Sequence, residues 1–292
     1  MRFILYIITN LSVMAVILAV VHIFGLNLYI TESGLDLYAL AIFSLVLGFS
    51  GSIISLLLSK TMAKWTMKVQ IIKNPNNDTE KWLVAEVKKL TNNANLSMPE
   101  VGIFEGAPNA FATGASRNSS LVAVSTGLLQ SMNEQEVRAV LAHEVAHIEN
   151  GDMVTMALLQ GILNTFVIFL SRVIAFMVSA AMRGNRQINY LSFRLIAIVL
   201  DIVLGILAHI IAAYFSRKRE FRADAGAVKL MNNNSQPMIA ALKRLQAPNI
   251  IGNELPSSVK AMGISGGIGN LFATHPPLEQ RIDALKKSSG IF

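Results

Sequence analysis

The run His143-Glu144-Val145-Ala146-His147 sets two imidazoles four residues apart, with a carboxylate beside the first. A helix turns about 100° and rises about 1.5 Å per residue, so positions four apart share a face about 6 Å apart along the axis. On such a helix His143 and His147 can offer ring nitrogens to one metal ion. Glu144 can reach a water on that ion without filling a ligand position, which makes it a candidate general base. The chain holds 5 His among 292 residues. At its composition the H-E-x-x-H pattern should arise by chance only about 0.003 times, so coincidence is a poor explanation.

A catalytic zinc centre of this type uses three protein ligands and leaves a position for water. The sequence has no cysteine, so the third ligand must be another histidine or a carboxylate. Glu220 and Asp224 again stand four apart on one helix face. Glu220 supplies the missing oxygen ligand, and Asp224 can take the ring N–H of a ligating histidine and fix its tautomer. His275, in Thr274-His275-Pro276, is a candidate for stabilising an oxyanion or holding substrate. His22 and His209 lie in apolar runs, where an interfacial or packing role outranks metal ligation.

Positioning these groups requires a helix with both ends marked. Asn133 stands three residues before Glu136, the spacing of a capping box. Val137, Val140, Leu141 and Val145 recur at helical spacing, and Gly151 is a natural stop. Upstream, Asp78 caps a helix expected from Thr79 to Leu90. The stretches Val101–Phe104, Ala110–Thr113 and Leu121–Val124 read as strands of a small antiparallel sheet. Asn109-Ala110-Phe111-Ala112 is the candidate edge strand, able to bind an extended peptide by strand addition. Downstream, a helix is expected over Gln236–Leu245. The Gly-, Ser- and Pro-rich stretch from Ala247 to Gly269 reads as a flap, and a closing helix runs through Arg281 and Lys287.

Composition sets the surroundings. The chain is 53% hydrophobic and 15% charged, against about 25% charged in an ordinary soluble domain. The apolar residues gather in four blocks long enough to span a bilayer: Phe3–Phe24, Leu37–Leu58, Met153–Met182 and Leu195–Phe215. The first is longer than a signal-peptide core and reads as an uncleaved anchor. Lys60, Lys64, Lys68 and Lys73 follow the second block, whereas residues 25–36 carry no Lys or Arg. The N-terminus and everything after Lys60 are therefore expected in the cytosol. Arg172 and Asp201 lie inside the third and fourth blocks, where a buried charge is costly; they can pair with each other, or equally each can snorkel. Arg183, Arg186 and Arg194 make the connection between those blocks basic, which leaves a choice between spanning helices, the preferred reading, and a hairpin dipping into the cytosolic leaflet. The net charge of +7 flanks the apolar blocks and forms no nucleic-acid face.

These features divide the chain into a two-helix anchor (1–60), a first catalytic part with the histidine helix (61–152), two further membrane helices (153–215) and a second catalytic part (216–292). The whole pattern resembles the HtpX membrane metalloproteases, relatives of the type I CAAX prenyl proteases. It is carried by the two N-terminal spans, His143-Glu144-Val145-Ala146-His147 with Ile148-Glu149-Asn150-Gly151-Asp152, two more apolar blocks, Glu220 with Asp224, and Thr274-His275-Pro276.

The resemblance implies an α-helical membrane protein with a cytosolic α+β gluzincin-like domain, mostly helical with a small antiparallel sheet. It implies one zinc ion per chain on His143, His147 and Glu220, with Glu144 as general base and Asp224 behind the ligands. His275 and the Asn109, Ala110, Phe111 region match positions that handle substrate. The implied role is cleavage of misfolded or damaged membrane proteins in the bacterial inner membrane under stress, alongside other quality-control proteases. Two alternatives are a metal-braced scaffold or chaperone without catalysis, and a CAAX-type processing protease. An intact Glu144 argues against the first, and four apolar blocks are few to wall the chamber of the second.

Overall fold

The computed structural model describes residues 30–31, 34–182, 190–246 and 273–288. The first apolar block with His22, the residues Arg183 and Arg186, and the expected flap at 247–269 lie outside the described residues. In chain order the elements begin with β1 (Ile30–Thr31), β2 (Gly34–Leu35), α1 (Leu37–Thr66), β3 (Gln70–Ile71), α2 (Asp78–Asn93), β4 (Glu100–Phe104), β5 (Ala110–Ser116) and β6 (Ser119–Ser125). There follow α3 (Thr126–Ser131), α4 (Glu134–Asn150), α5 (Asp152–Met182), α6 (Tyr190–Leu230), α7 (Gln236–Gln246) and α8 (Leu278–Ser288). They form two compact units, residues 1–55 with 156–212 and residues 56–155 with 213–292.

In the first unit α1, α5 and α6 dominate, and these are the three described helices long and apolar enough to cross a membrane. Small residues let α1 and α5 approach closely. A methyl group at Gly48 would meet Thr165 Oγ1 at 2.4 Å, and one at Gly161 would meet the Phe49 ring at 2.6 Å. Such backbone proximity is how helices associate where apolar side chains gain little from leaving lipid. Outward-facing Leu158, Ile162 and Phe166 on α5 and Ile198, Val199 and Ile202 on α6 are exposed, as lipid-facing residues are. Arg172 pairs with Asp201 across α5 and α6, and Ser171 Oγ donates to the same carboxylate at 2.6 Å.

The second unit is built around α4. Asn133 accepts from the Glu136 N–H while the Glu136 carboxylate accepts from the Asn133 N–H, a complete capping box. Gly151 ends the helix in the left-handed region, at φ 67°, and its N–H reaches His147 O and Ile148 O. Between these caps Val137, Leu141, Ala142, Val145, Ala146 and Ile148 are all buried, so α4 is a core helix. Leu83, Val87 and Leu90 of α2, Ile239 and Leu242 of α7, and Ile282 and Leu285 of α8 belong to the same core. The cap of α2 is Asn77, whose side chain accepts from Glu80 N, and Asp78 is the first helical residue.

The sheet corrects one expectation: it is mixed, not antiparallel throughout. Its order is β3-β4-β6-β5, with β4 and β6 parallel and the other two pairs antiparallel. The cause is the burial of β6. Leu121, Val122, Ala123 and Val124 are apolar on both faces and fully covered, so this strand takes an inner position. Its hairpin partner β5 is left at the edge. Gly114, at φ 143°, forms the bulge that bends β5; a side chain there would strike Ser119 O at 2.2 Å. The helix α6 runs unbroken through Ser216-Arg217-Lys218-Arg219 to Leu230. Apolar block and carboxylate pair are one helix.

Candidate active site

Close packing of α4 and α6 creates the site. Gly226 faces Ala146 so closely that a methyl group on the glycine would lie 2.8 Å from the alanine Cβ. The glycine follows Asp224 by two residues, and the alanine precedes His147 by one. Across this contact Glu220 and Asp224 meet the two histidines.

His143 Nε2 and His147 Nε2 stand 3.1 Å apart, and each lies 3.4 Å from an oxygen of Glu220. All three side chains are buried, and their ligand atoms converge tightly enough to hold one metal ion. A tetrahedral ion bound at about 2.0–2.1 Å needs neighbouring ligand atoms about 3.3 Å apart, so the spacing fits such an ion. The far ring nitrogens are taken by carboxylates: His143 Nδ1 lies 2.9 Å from Asp224 Oδ1, and His147 Nδ1 lies 2.6 Å from Asp152 Oδ2. A carboxylate that accepts an Nδ1 hydrogen frees the Nε2 lone pair of the same ring for an ion at the common point.

Charge is balanced around this point. Burial opposes a charge on His143, but hydrogen bonds to Asp224 and Glu220 outweigh it and raise its pKa to about 9. Burial likewise opposes a charge on His147, and hydrogen bonds to Asp152 and Glu220 raise its pKa. The site thus draws positive charge, and proton and metal compete for the same nitrogens. Glu144 is half-buried and turns one step away from the ligand pair. His275 Nδ1 lies 3.0 Å from Glu220 Oε2, and Arg217 holds its loop through Ala273 O at 2.7 Å. In β5 the Ala110, Phe111 and Ala112 segment pairs with β6, its one strand partner among the described residues, and Phe111 packs on Phe104 at 5.5 Å between ring centres. Asn109 precedes it, tied to Ser125 through its backbone.

Two residues at the site escape the sequence reading. Asp152 sits past the left-handed turn at Gly151, off the helical repeat that relates His143 to His147. Arg281 donates two hydrogen bonds to Asp224, from Nε at 2.8 Å and Nη2 at 2.6 Å. The signal for Arg281 was present: it shares the spacing of Leu278, Ile282 and Leu285, so a charged residue occupies the apolar stripe of α8.

Fold and site together define a membrane-bound metalloprotease. The family described as Peptidase family M48 matches residues 77–289, and the chain belongs to it. It is 58% identical over 290 residues to a protein from Albidiferax ferrireducens named Protease HtpX homolog, covering 98% of this chain and 99% of that one. A Protease HtpX homolog from Polaromonas naphthalenivorans is 55% identical over 292 residues, covering 99% of both. The crystal structure of S. mikatae Ste24p shares the fold, with a TM-score of 0.62 at 20% identity, covering 97% of this chain and 66% of that one.

Proposed function

We propose that the chain is a zinc-dependent endopeptidase that cleaves misfolded or damaged membrane proteins, with its catalytic part on the cytosolic side of a bacterial cytoplasmic membrane. The observation that carries the proposal is the convergence of His143, His147 and Glu220 at tetrahedral spacing, and Glu144 follows His143 in the chain. Two imidazoles and a carboxylate suit zinc well among divalent ions. When bound, the ion polarises the scissile carbonyl and acidifies a water.

The chain's own groups do the rest. Glu144 takes the proton of the attacking water and returns it to the leaving amine. His275, beside Glu220 and partly open to solvent, stabilises the oxyanion. An extended substrate adds to the outer edge of β5 along Asn109, Ala110, Phe111 and Ala112. The membrane helices hold the site near substrates that are themselves embedded in the bilayer. Lysines in the last turns of α1 and just after it, with none in residues 25–36, support the cytosolic orientation. The anchor at 1–60, the helices at 153–215 and a catalytic domain split between 61–152 and 216–292 complete this arrangement.

The test is reconstitution in vesicles with a membrane protein supplied in a stable and a destabilised form, beside a prenylated peptide. Zinc-dependent loss of the destabilised form alone is expected. Cleavage of the prenylated peptide with both membrane proteins spared would replace this reading with a processing protease.

A further inference from the structure

We propose that Arg281 is a positioning residue of the metal centre, acting on His143 through Asp224, and that α8 is thereby part of the centre. The inference rests on the metalloprotease reading above and extends it to a residue that neither binds the ion nor touches substrate.

Arg281 is the only buried lysine or arginine among the described residues. A buried guanidinium is costly unless it is paired and hydrogen-bonded. Its Nε and Nη2 grip both oxygens of Asp224, the two-pronged geometry that only arginine provides. Asp224 Oδ1 in turn faces His143 Nδ1 at 2.9 Å. Nη1 lies 3.6 Å from Glu220 Oε2, so one guanidinium faces two carboxylates of the site. Ile282 and Leu285 seat α8 in the core and fix where the guanidinium stands.

Charge gives the reason for an arginine here. Asp152, Glu220 and Asp224 are buried carboxylates around one point. Beside a divalent ion, Arg281 supplies the positive charge that faces Asp224 and Glu220. The arrangement is doubled on the other ligand, because Arg222 pairs with Asp152, which holds His147. The two arginines are not equivalent: the Arg222 side chain is 55% exposed, the Arg281 side chain 8%. Water screens the first and not the second, so His143 depends on its arginine more than His147 does.

The experiment measures zinc affinity of the full-length, metal-free protein in detergent, by competition with a chromophoric chelator. The variants are Arg281→Met, Arg281→Lys, Asp224→Asn and the double variant Arg281→Met with Asp224→Asn. Thermal melting of each metal-free form controls for folding. Arg281→Met is expected to weaken zinc binding about 10–100-fold, and Arg281→Lys to recover part of the loss because it keeps charge but not the fork. The double variant should bind no worse than Asp224→Asn alone, since both residues act along one line. Wild-type affinity in Arg281→Met, or losses that add in the double variant, would overturn the inference. Should Arg281→Met fail to fold, Arg281→Lys decides: wild-type affinity there removes any role for the fork. Absence of zinc binding by the wild type would instead sink the functional reading itself, so the two failures are distinguishable.

Discussion

Replacing Gly226 by alanine sets two effects of known sign against each other at the contact that assembles the site. Alanine in a helix interior is better than glycine by about 0.8–1.0 kcal/mol. The added methyl, however, arrives 2.8 Å from Ala146 Cβ, where carbon atoms prefer about 3.5–4.0 Å. Ala146 has no rotamer with which to escape, so α4 and α6 must part by about 1 Å. Overpacking of this kind costs about 1–3 kcal/mol, which leaves a net loss of about 0–2 kcal/mol. Stability therefore changes little, but the ligand set does not tolerate the shift. His143 and His147 ride on one helix and Glu220 on the other, and a metal site holds its distances to within about 0.2 Å. Zinc affinity should fall clearly, and cleavage by about 100-fold, the scale of a 1 Å misplacement. The assay pairs chelator competition with proteolysis and melting in detergent. Gly205→Ala is the control, because nothing lies within 4 Å of the new methyl, and it should leave zinc binding unchanged. Wild-type zinc affinity and cleavage in Gly226→Ala would refute the claim that this contact sets the ligand geometry.

Other expectations concern two ion pairs, Arg172 with Asp201 and Glu100 with Lys60 and Lys64. Arg172→Leu and Asp201→Leu should each lower the melting temperature in detergent, because each leaves a charge alone among apolar residues. The double variant should recover most of the loss; equal or greater damage in the double variant would argue that the pair itself stabilises the fold. Glu100 meets Lys60 at 2.9 Å and also pairs with Lys64. Its slight burial opposes ionisation, but hydrogen bonds to Lys64 and Lys60 lower its pKa below the ordinary 4.5. A depressed folded-state pKa stabilises above the unfolded value and is lost as pH falls through the folded one. Melting of wild type and Glu100→Gln should therefore differ above pH 4.5 and converge below it, and a gap that widens in acid would reverse the sign.

The parts of the molecule legible in the sequence were those governed by local rules. Asn133, Glu136 and Gly151 mark the ends of α4 through contacts that span three or four residues. The four-residue spacings of His143 with His147, and of Glu220 with Asp224, need only a helix to become geometry. What was not legible depends on distant partners. The parallel pairing of β4 with β6 follows from how deeply β6 is buried, which its own residues permit but do not dictate. Ser216-Arg217-Lys218-Arg219 ends the apolar block with three charges, yet the helix continues through it, where Ser216 is buried and Arg217 bonds to Ala273 O. Asp152 joins His147 only because Gly151 turns the chain back. Arg281 reaches Asp224 from 57 positions away.

The central claim is tested most directly by purifying the wild type and Glu144→Gln under chelation, adding zinc, and following cleavage of an unfolded test protein with metal content measured on both. The account predicts that both chains bind one zinc ion and that only the wild type cleaves, with the variant slower by about 10²–10⁴-fold, the usual contribution of a general base. Comparable cleavage by Glu144→Gln, or zinc bound by both with cleavage by neither, would contradict it.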